Sequence, residues 1–326
     1  MAINNRVGAA ELEQLAEDLA PPCQLGEYVL EGLISRTATA LIFIARNGSS
    51  EPSEVVLKLT GPAYAPLLER ELGLLVRCRD AQLGGVVRPL RDELEWIPLD
   101  AERPALGYLA ALLLPFLSGG DLVQWIGAHA SRSGRLGPEP ALNVGQQVGR
   151  VLRGMLSLPR PVVYGDVKPQ NVLLPLPDAP LDELTLIDLD ASSEIERLPG
   201  DIPNVSRAVI ESLVSDVNGF GELLYILATG REPPAEGEPS PVTGNAAFDE
   251  LVVKCLIADV DTHAYSCLGD AALWHDFDHA QAVERTRKHS KSLPNLLDNR
   301  PFLAAVGLVL LCLLILAMMA RMPVGG

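Results

Sequence analysis

The stretch VVYGDVKPQNVLL, residues 162–174, joins a short polar cluster to an apolar run. Asp166, Lys168 and Asn171 lie within six residues of one another, and the segment that follows them is typical of a β-strand. A polar cluster leading into a strand indicates either a catalytic loop or an ordinary turn. The rest of the chain must decide between these two interpretations.

The composition narrows the class of protein. The chain has 326 residues, 48% of them hydrophobic, which is enough for one large or two small domains with a packed core. Its formal net charge of −16 argues against a general affinity for nucleic acid. The five cysteines are scattered and include no Cys-x-x-Cys pair, so neither a disulfide framework nor a zinc site is expected.

The apolar pattern predicts two regions of different secondary structure. Strands are predicted in YVLEGLI, ALIFIAR and EVVLKLT between residues 28 and 60, and a helix in APLLERELGLLVRCR, residues 65–79. VVRPL (86–90) and LAALLLPFL (109–117) predict two further strands, after which the chain is mostly helical. We therefore predict an α+β protein with two lobes, a β-rich N-terminal lobe and a helical C-terminal lobe.

The polar residues in these segments match the needs of phosphoryl transfer. That reaction needs a cation on the nucleotide phosphates, carboxylate and amide oxygens on Mg²⁺, and a carboxylate that orients the attacking hydroxyl. Along this chain the order is Lys, then Glu, then Asp-x-Lys-x-x-Asn, then Asp. Each motif alone fits a surface turn or a solvated ion pair, but their common order favours a catalytic loop.

In these motifs the chain resembles the protein kinase family, specifically the bacterial serine/threonine kinases, over about residues 25–280. The resemblance implies a two-lobed kinase fold that uses ATP and Mg²⁺. It implies that Asp166 is the catalytic base and that Lys168 lies near the transferred phosphate. Asn171 and Asp188, the latter in LIDLD, would be the magnesium ligands.

The same resemblance assigns roles to three further residues. Lys58 in EVVLKLT would contact the phosphates. Glu71 in LLERELGLL would pair with Lys58, with Glu69 as the competing choice by register. Asp216, in SDVNGFGELLYILATGREPP, would buttress the catalytic loop.

The loop that covers the nucleotide departs from the family pattern G-x-G-x-x-G. In the aligned segment SRTATA, the glycine positions are occupied by Ser35, Thr37 and Ala40. Glycines let the backbone approach phosphates without side chains in the way. We therefore expect a stiffer, more crowded loop at this part of the nucleotide site, with weaker ATP binding or a different pose.

The catalytic loop and the segment after it depart as well. Tyr164-Gly165 replaces the family's His-Arg, and this implies that switching by phosphorylation does not work through that arginine. Asp188-Leu189-Asp190 replaces Asp-Phe-Gly. Ala-Pro-Glu is reduced to Ile202-Pro203-Asn204, and His263 stands about where the buried arginine partner of that glutamate would lie.

The C-terminal part has a different character. Residues 301–320 carry no charge, and as a helix they would span about 30 Å, the thickness of a bilayer core. Basic residues precede this stretch in the segment 281–300, which predicts a single-pass anchor in the cell membrane with the kinase-like part in the cytoplasm. The basic segment could also contact anionic lipids. Residues 1–24 would be an N-terminal extension, and 321–326 a short tail.

Three functional hypotheses follow from these patterns. The first is a membrane-tethered serine/threonine protein kinase that transfers the γ-phosphoryl group of Mg-ATP to a hydroxyl of a protein substrate. The second is a pseudokinase, a scaffold or sensor without phosphoryl transfer, which the altered loop and activation segment favour. The third is a small-molecule phosphotransferase, since that class shares a Gly-Asp-x-x-x-x-Asn loop and an Ile-Asp carboxylate. No nucleic-acid partner is expected under any of them.

Overall fold

The computed structural model describes residues 9–48, 53–99, 107–129, 136–181, 183–195, 207–234, 242–259, 265 and 267–292. Its first part is rich in strands. The elements are helix α1 (Ala9–Asp18), strands β1 (Cys23–Leu25), β2 (Tyr28–Arg36), β3 (Leu41–Asn47) and β4 (Glu54–Thr60), helix α2 (Ala65–Asp80), and strands β5 (Glu95–Pro98) and β6 (Tyr108–Pro115).

The second part is mainly helical, with short strands between the helices. Its elements are helices α3 (Leu122–His129) and α4 (Pro138–Leu156), strands β7 (Val162–Val163), β8 (Val172–Leu173), β9 (Thr185–Leu186) and β10 (Ser193–Glu194), and helices α5 (Arg207–Thr229), α6 (Ala246–Leu256) and α7 (Ala271–Ser292). A 3₁₀ turn, Pro169–Asn171, precedes β8.

Strands β1 to β6 form one antiparallel sheet in the order β1-β2-β3-β4-β6-β5. In β3, Leu41, Phe43 and Ala45 alternate with less buried residues, so one face of the strand enters the core. Leu15 and Leu19, within and just after α1, are buried in the same hydrophobic cluster. The segment before residue 25 therefore contributes to the packed core of the sheet.

The second hydrophobic cluster lies mainly among the helices. Helices α4, α5, α6 and α7 supply much of it, with the buried rings of Phe220, Phe248 and Phe277 among its largest side chains. Residues of α2 and β6, such as Leu75 and Leu112, also belong to this cluster. This packing links the helical part to the sheet through α2 and the central strands.

The strand predictions are confirmed with one exception. The segment 86–90 is not a strand: Val86 makes only an isolated parallel bridge with Leu186, and Pro89 cannot donate to a sheet. The edge strand beside β6 is instead β5, whose sequence EWIP carries little alternation. The mixed α+β architecture, with a six-stranded sheet followed by helices, fits a kinase-like fold.

Some predictions concern residues that the structure does not describe. The membrane segment 301–320, the tail 321–326, Ile202-Pro203-Asn204 and His263 all lie outside the described residues. Within the described part of the chain, no helix combines the length and apolar character needed to cross a bilayer.

Candidate active site

Lys58 is a buried cation at the centre of the sheet. In β4 it is paired with Ile42 of β3 and Leu112 of β6, and it is only 5% exposed. A buried ammonium group requires carboxylate partners to offset its lost hydration. Its Nζ lies 2.8 Å from Oε2 of Glu71 and 2.6 Å from Oδ1 of Asp188, and Oδ2 of Asp190 lies further away at 3.9 Å.

Helix α2 determines which glutamate reaches the lysine. Glu71 lies on the buried face of α2 and is 2% exposed, whereas Glu69 is exposed. The second oxygen of Glu71, Oε1, accepts a hydrogen bond of 3.3 Å from the backbone N–H of Leu189. The lysine therefore pairs with Glu71, and the same carboxylate contacts the residue that follows Asp188.

Burial and charge together fix the ionisation of this cluster. Burial disfavours the ammonium form of Lys58, but the carboxylates of Glu71 and Asp188 outweigh that effect and raise the pKa of the lysine. Burial raises the pKa of Glu71, and the neighbouring lysine partly offsets the rise. Lys58 therefore stays positively charged at neutral pH and can serve as a fixed cation in the cleft.

The loop after β7 holds a second polar cluster. Nζ of Lys168 donates to Oδ2 of Asp166 at 2.6 Å, and Nδ2 of Asn171 donates to the same oxygen at 2.8 Å. Asn171 also donates to the backbone carbonyl of Asp166 at 3.0 Å. The first two bonds orient the Asp166 carboxylate, which remains partly exposed, and the third ties Asn171 to the backbone of the same residue.

The side chain of Asp216 in α5 binds the backbone of this loop. Its two carboxylate oxygens accept hydrogen bonds from the backbone N–H groups of Tyr164, at 2.9 Å, and Gly165, at 2.6 Å. Burial raises the pKa of Asp216 to about 6, although the two backbone donors lower it. The carboxylate thus spans the two residues that directly precede Asp166.

Gly165 stands at a position that only glycine fits comfortably. Its φ of +87° lies in the left-handed region, and an added Cβ would lie 2.7 Å from the carbonyl oxygen of Ala191. Glycine at this position therefore allows the loop after β7 to approach the segment after Asp188.

A short hairpin brings Asn171 and Asp188 to the same end of two strands. Asn171 directly precedes β8 and Asp188 follows β9, and Val172 is paired with Leu186. The backbone N–H of Ile187 donates to the carbonyl of Asn171 at 3.0 Å. Asp188 has a φ of +59°, an uncommon conformation for a residue with a side chain and one that is frequent at functional sites.

Tyr164 joins the two polar clusters, a role that sequence reasoning missed. Its hydroxyl donates to the carbonyl of Ile187, just before Asp188, and Ser192 donates to the carbonyl of Tyr164 at 2.8 Å. Burial raises the pKa of the Tyr164 hydroxyl well above its ordinary value, and the nearby carboxylates, Asp188 first, add to the rise. The only signal for this role was the unusual tyrosine before Gly-Asp.

The turn between β2 and β3, where we predicted a nucleotide-covering loop, is capped by a side-chain hydroxyl. The side-chain oxygen of Thr37 accepts hydrogen bonds from the N–H groups of Thr39, at 3.3 Å, and Ala40, at 2.9 Å. Thr60 of β4 donates to the carbonyl of Thr39 and ties the turn to the sheet. Ser35 lies within β2, opposite Ile42.

A cavity of about 330 Å³ opens beside this turn. Its lining includes Ala40 and Thr39 of the turn together with Lys58, Glu71 and Asp190. Ser35 and Thr37, which we predicted to contact the nucleotide, do not line this cavity. The structure thus brings Ala40 to the buried lysine and leaves the other two loop residues outside this cavity.

The donor set at the hairpin end fits Mg²⁺ in part. Asn171 and Asp188 offer an amide oxygen and a carboxylate, hard ligands of the type that Mg²⁺ prefers. Within the described residues, no group of three or more His, Cys, Asp or Glu side chains could hold a metal ion by itself. Mg²⁺ typically takes one or two protein ligands and completes its shell with water and substrate phosphates, so a nucleotide-dependent site is consistent with this set.

Comparison with known proteins adds one partial similarity. No protein-family model matches the chain. Over 180 residues the chain is 26% identical to the serine/threonine-protein kinase VIK of Arabidopsis thaliana, a match that covers 46% of this chain. The match covers 40% of the length of that relative. Together with the fold, this similarity supports a protein-kinase-like relationship for the chain.

Proposed function

We propose that the chain is a serine/threonine protein kinase that transfers the γ-phosphoryl group of Mg-ATP to a hydroxyl of a protein. The observation that carries this proposal is the sharing of the buried Lys58 ammonium between Glu71 and Asp188, 2.8 and 2.6 Å away. An internal lysine with two carboxylates is costly to bury, and it supplies a fixed cation for anionic phosphates. The weak similarity to a plant serine/threonine kinase points to the same class.

Each polar residue of the site has a role in this proposal. Lys58, held by Glu71, would position the nucleotide phosphates. Asn171 and Asp188 would hold Mg²⁺, which supplies neutralising charge on the phosphate oxygens when it is bound.

The loop after β7 would supply the residues that act on the substrate hydroxyl and on the transferred group. Asp166, oriented by its bonds to Asn171 and Lys168, would accept the proton of the substrate hydroxyl. Lys168 would offset the charge that develops on the transferred group. The partly exposed position of both side chains supports access by a protein hydroxyl.

A titration of the full chain with ATP, with and without Mg²⁺, tests this proposal. The comparison variants are Asp188→Asn, which removes one charge from the proposed metal site, and Asp178→Asn, which changes an exposed carboxylate between β8 and β9, at the opposite end of the hairpin. We expect wild type and Asp178→Asn to bind ATP only when Mg²⁺ is present. Asp188→Asn should not bind ATP under either condition. Binding that ignores both Mg²⁺ and the Asp188 change would refute the assignment of the metal site.

A second candidate is a pseudokinase scaffold, and one observation favours it. The hydroxyl of Thr37 occupies the N–H groups of Thr39 and Ala40, donors that a phosphate would otherwise be able to use. In this alternative the site keeps its ion pairs for stability and the chain acts through partners. Mg-ATP binding without any phosphoryl transfer to protein acceptors would favour the scaffold over the kinase.

We also propose that residues 301–320 anchor the chain in the cell membrane with the kinase-like part in the cytoplasm. The support is the uncharged twenty-residue stretch and the basic residues that precede it. Fractionation of cells that express the full chain, followed by protease treatment of sealed vesicles, tests both parts. Recovery of the full chain outside the membrane fraction would contradict the anchor, and protection of the kinase-like part in right-side-out vesicles supports its orientation.

A further inference from the structure

The segment after Asp188 is docked beside the catalytic loop. In β10, Ser193 and Glu194 are paired with Val163 and Val162 of β7, the strand that leads into Asp166. The N–H of Ile195 donates to the carbonyl of Pro161 at 2.9 Å and continues this pairing. The backbone of residues 193–195 is therefore held at a fixed register against the loop that carries Asp166.

Helix α2 contacts the same segment through its charged residues. Arg70 donates to the carbonyl of Ser192, and Nη1 of Arg77 lies 2.6 Å from Oε1 of Glu194. Arg70 and Arg77 are seven positions apart, about two helical turns, so both project from one face of α2. Glu71, which holds Lys58, belongs to the same helix. Contacts along two turns of α2 thus anchor the helix to the segment that follows Asp188.

Glu194 is the centre of this attachment. Its second oxygen, Oε2, lies 3.9 Å from Nη1 of Arg160, and Arg77 also donates to the carbonyl of Arg160 at 3.3 Å. Two guanidinium groups from different elements therefore face one carboxylate. This negative charge is part of the sequence itself and needs no modification of the chain to appear.

We propose that Glu194 is a positioning residue that holds α2, and through it Glu71, in the arrangement that pairs with Lys58. This inference rests on the proposed kinase function, because the pairing matters for catalysis only if the chain transfers phosphoryl groups. The ion pair of Arg77 and Glu194 keeps α2 docked without phosphorylation of the segment that follows Asp188. Phosphorylation is therefore not required to switch this site on.

The size of the effect follows from the exposure of the pair. The side chains of Arg77 and Glu194 are 32% and 41% exposed, and ion pairs of this kind shift an equilibrium by about twofold to fivefold. Loss of the pair lowers the equilibrium constant for docking of α2 by that factor, so the undocked fraction rises by up to the same factor. Because docked α2 places Glu71 against Lys58, which would contact the ATP phosphates, we expect the KM for ATP to rise. The KM for the acceptor should stay unchanged.

The test compares Glu194→Gln with wild type in the full chain, kept in detergent. Hydrogen exchange of the α2 amides reports docking, and initial rates at varied ATP and acceptor concentrations report catalysis. We expect α2 exchange to rise about twofold to fivefold at low salt and the KM for ATP to rise by a smaller factor, set by the loss of the docked fraction, with the acceptor KM unchanged. Glu211→Gln, which breaks the exposed pair of Arg207 and Glu211 on α5, is the control and should change neither.

A charge swap separates the pair from general damage. Arg77→Glu combined with Glu194→Arg restores opposite charges at these two positions and should recover part of the change in both the exchange rate and the KM for ATP, since Arg160 then faces an arginine. Unchanged exchange in Glu194→Gln overturns the proposal, as does increased exchange that the swap fails to reduce or a rise in the acceptor KM in place of the KM for ATP. If the wild type transfers no phosphate, the kinase function fails, while the exchange data still decide whether Glu194 docks α2.

Discussion

Nζ of Lys58 lies 2.6 Å from Oδ1 of Asp188, although 130 positions separate the two residues in the chain. Lys58 stands in the middle of the sheet, and Asp188 follows a short hairpin in the helical part. The contact therefore joins a central strand of the sheet to the end of the β8–β9 hairpin. Glu71 of α2 adds a second carboxylate to this contact. The sheet, helix α2 and the segment after the hairpin thus each contribute one side chain to the buried ion cluster.

Removal of Lys58 should destabilise the fold more than removal of the whole pair. Lys58→Met leaves Glu71 buried without its cation, which should lower the free energy of unfolding by about 3 kcal/mol. Adding Glu71→Leu removes the unpaired charge and should recover most of that loss. Urea unfolding measures both. Neither variant should bind Mg-ATP, and a double variant that is less stable than Lys58→Met would contradict the buried-pair account.

Gly165 should tolerate no side chain. Gly165→Ala forces a side chain into the left-handed region and toward the carbonyl of Ala191, which should lower stability by about 2 kcal/mol or more and reduce phosphoryl transfer. Gly127→Ala in α3 is the control, because an added Cβ there meets open space. That control should gain about 0.5–1 kcal/mol. Equal stability of the two alanine variants would be inconsistent with the tight approach at Gly165.

Asp216 should couple activity and stability to pH in opposite directions. Its pKa in the folded chain is about 6, above its ordinary value of 3.8. Below pH 6 the carboxyl takes up a proton and loses an acceptor for one backbone N–H of the catalytic loop, so the transfer rate should fall as the pH drops through about 6.

The stability contribution of Asp216 has the reverse sign. Between pH 6 and 3.8 the folded state binds more protons than the unfolded state, so the contribution of Asp216 to the unfolding free energy rises as the pH falls, by about 1.4 kcal/mol per unit. Comparison of wild type with Asp216→Asn across this range isolates the effect. A stability difference that stays constant with pH would show that Asp216 does not titrate there.

The hydroxyl of Thr37 should limit the affinity for ATP. Thr37→Val keeps the β-branched shape but frees the N–H groups of Thr39 and Ala40, so Mg-ATP should bind about threefold to tenfold more tightly. Thr37→Ser keeps the hydroxyl and should bind as wild type does. Calorimetric titration of the three proteins measures the difference. Weaker binding by the valine variant than by the serine variant would mean that the capped turn assists the nucleotide.

Local patterns predicted much of the fold but not its long-range register. The alternation in ALIFIAR and EVVLKLT predicted β3 and β4 because side chains on the two faces of a strand meet different environments. The edge strand β5 was missed because only one of its residues, Ile97, is fully buried. The apolar sequence of the segment 86–90 predicts a strand, but Val86 and Val87 are buried through packing beside Leu186 and not through sheet pairing.

The candidate site shows the same division. The order of Lys58, Asp166 and Asp188 could be predicted since each lies in a recognisable motif. The choice between Glu71 and Glu69 required the rotation of α2 relative to the sheet, which no local pattern contains. The contact of Arg77 with Glu194 depends on how two segments far apart in the chain pack together. The hydrogen bond from the N–H of Ala40 to the Thr37 hydroxyl depends on the conformation of the turn, so only the structure reveals both.

The most direct test of the proposed function is transfer of labelled phosphate from γ-labelled ATP by the full chain and by Asp166→Asn, in the presence of Mg²⁺. We expect wild type to label serine and threonine residues of protein acceptors. The variant should bind Mg-ATP equally well and transfer at least about a hundredfold more slowly, because it lacks the carboxylate that accepts the hydroxyl proton. Equal labelling by the two proteins, or tight Mg-ATP binding by wild type without any transfer, would contradict the kinase account.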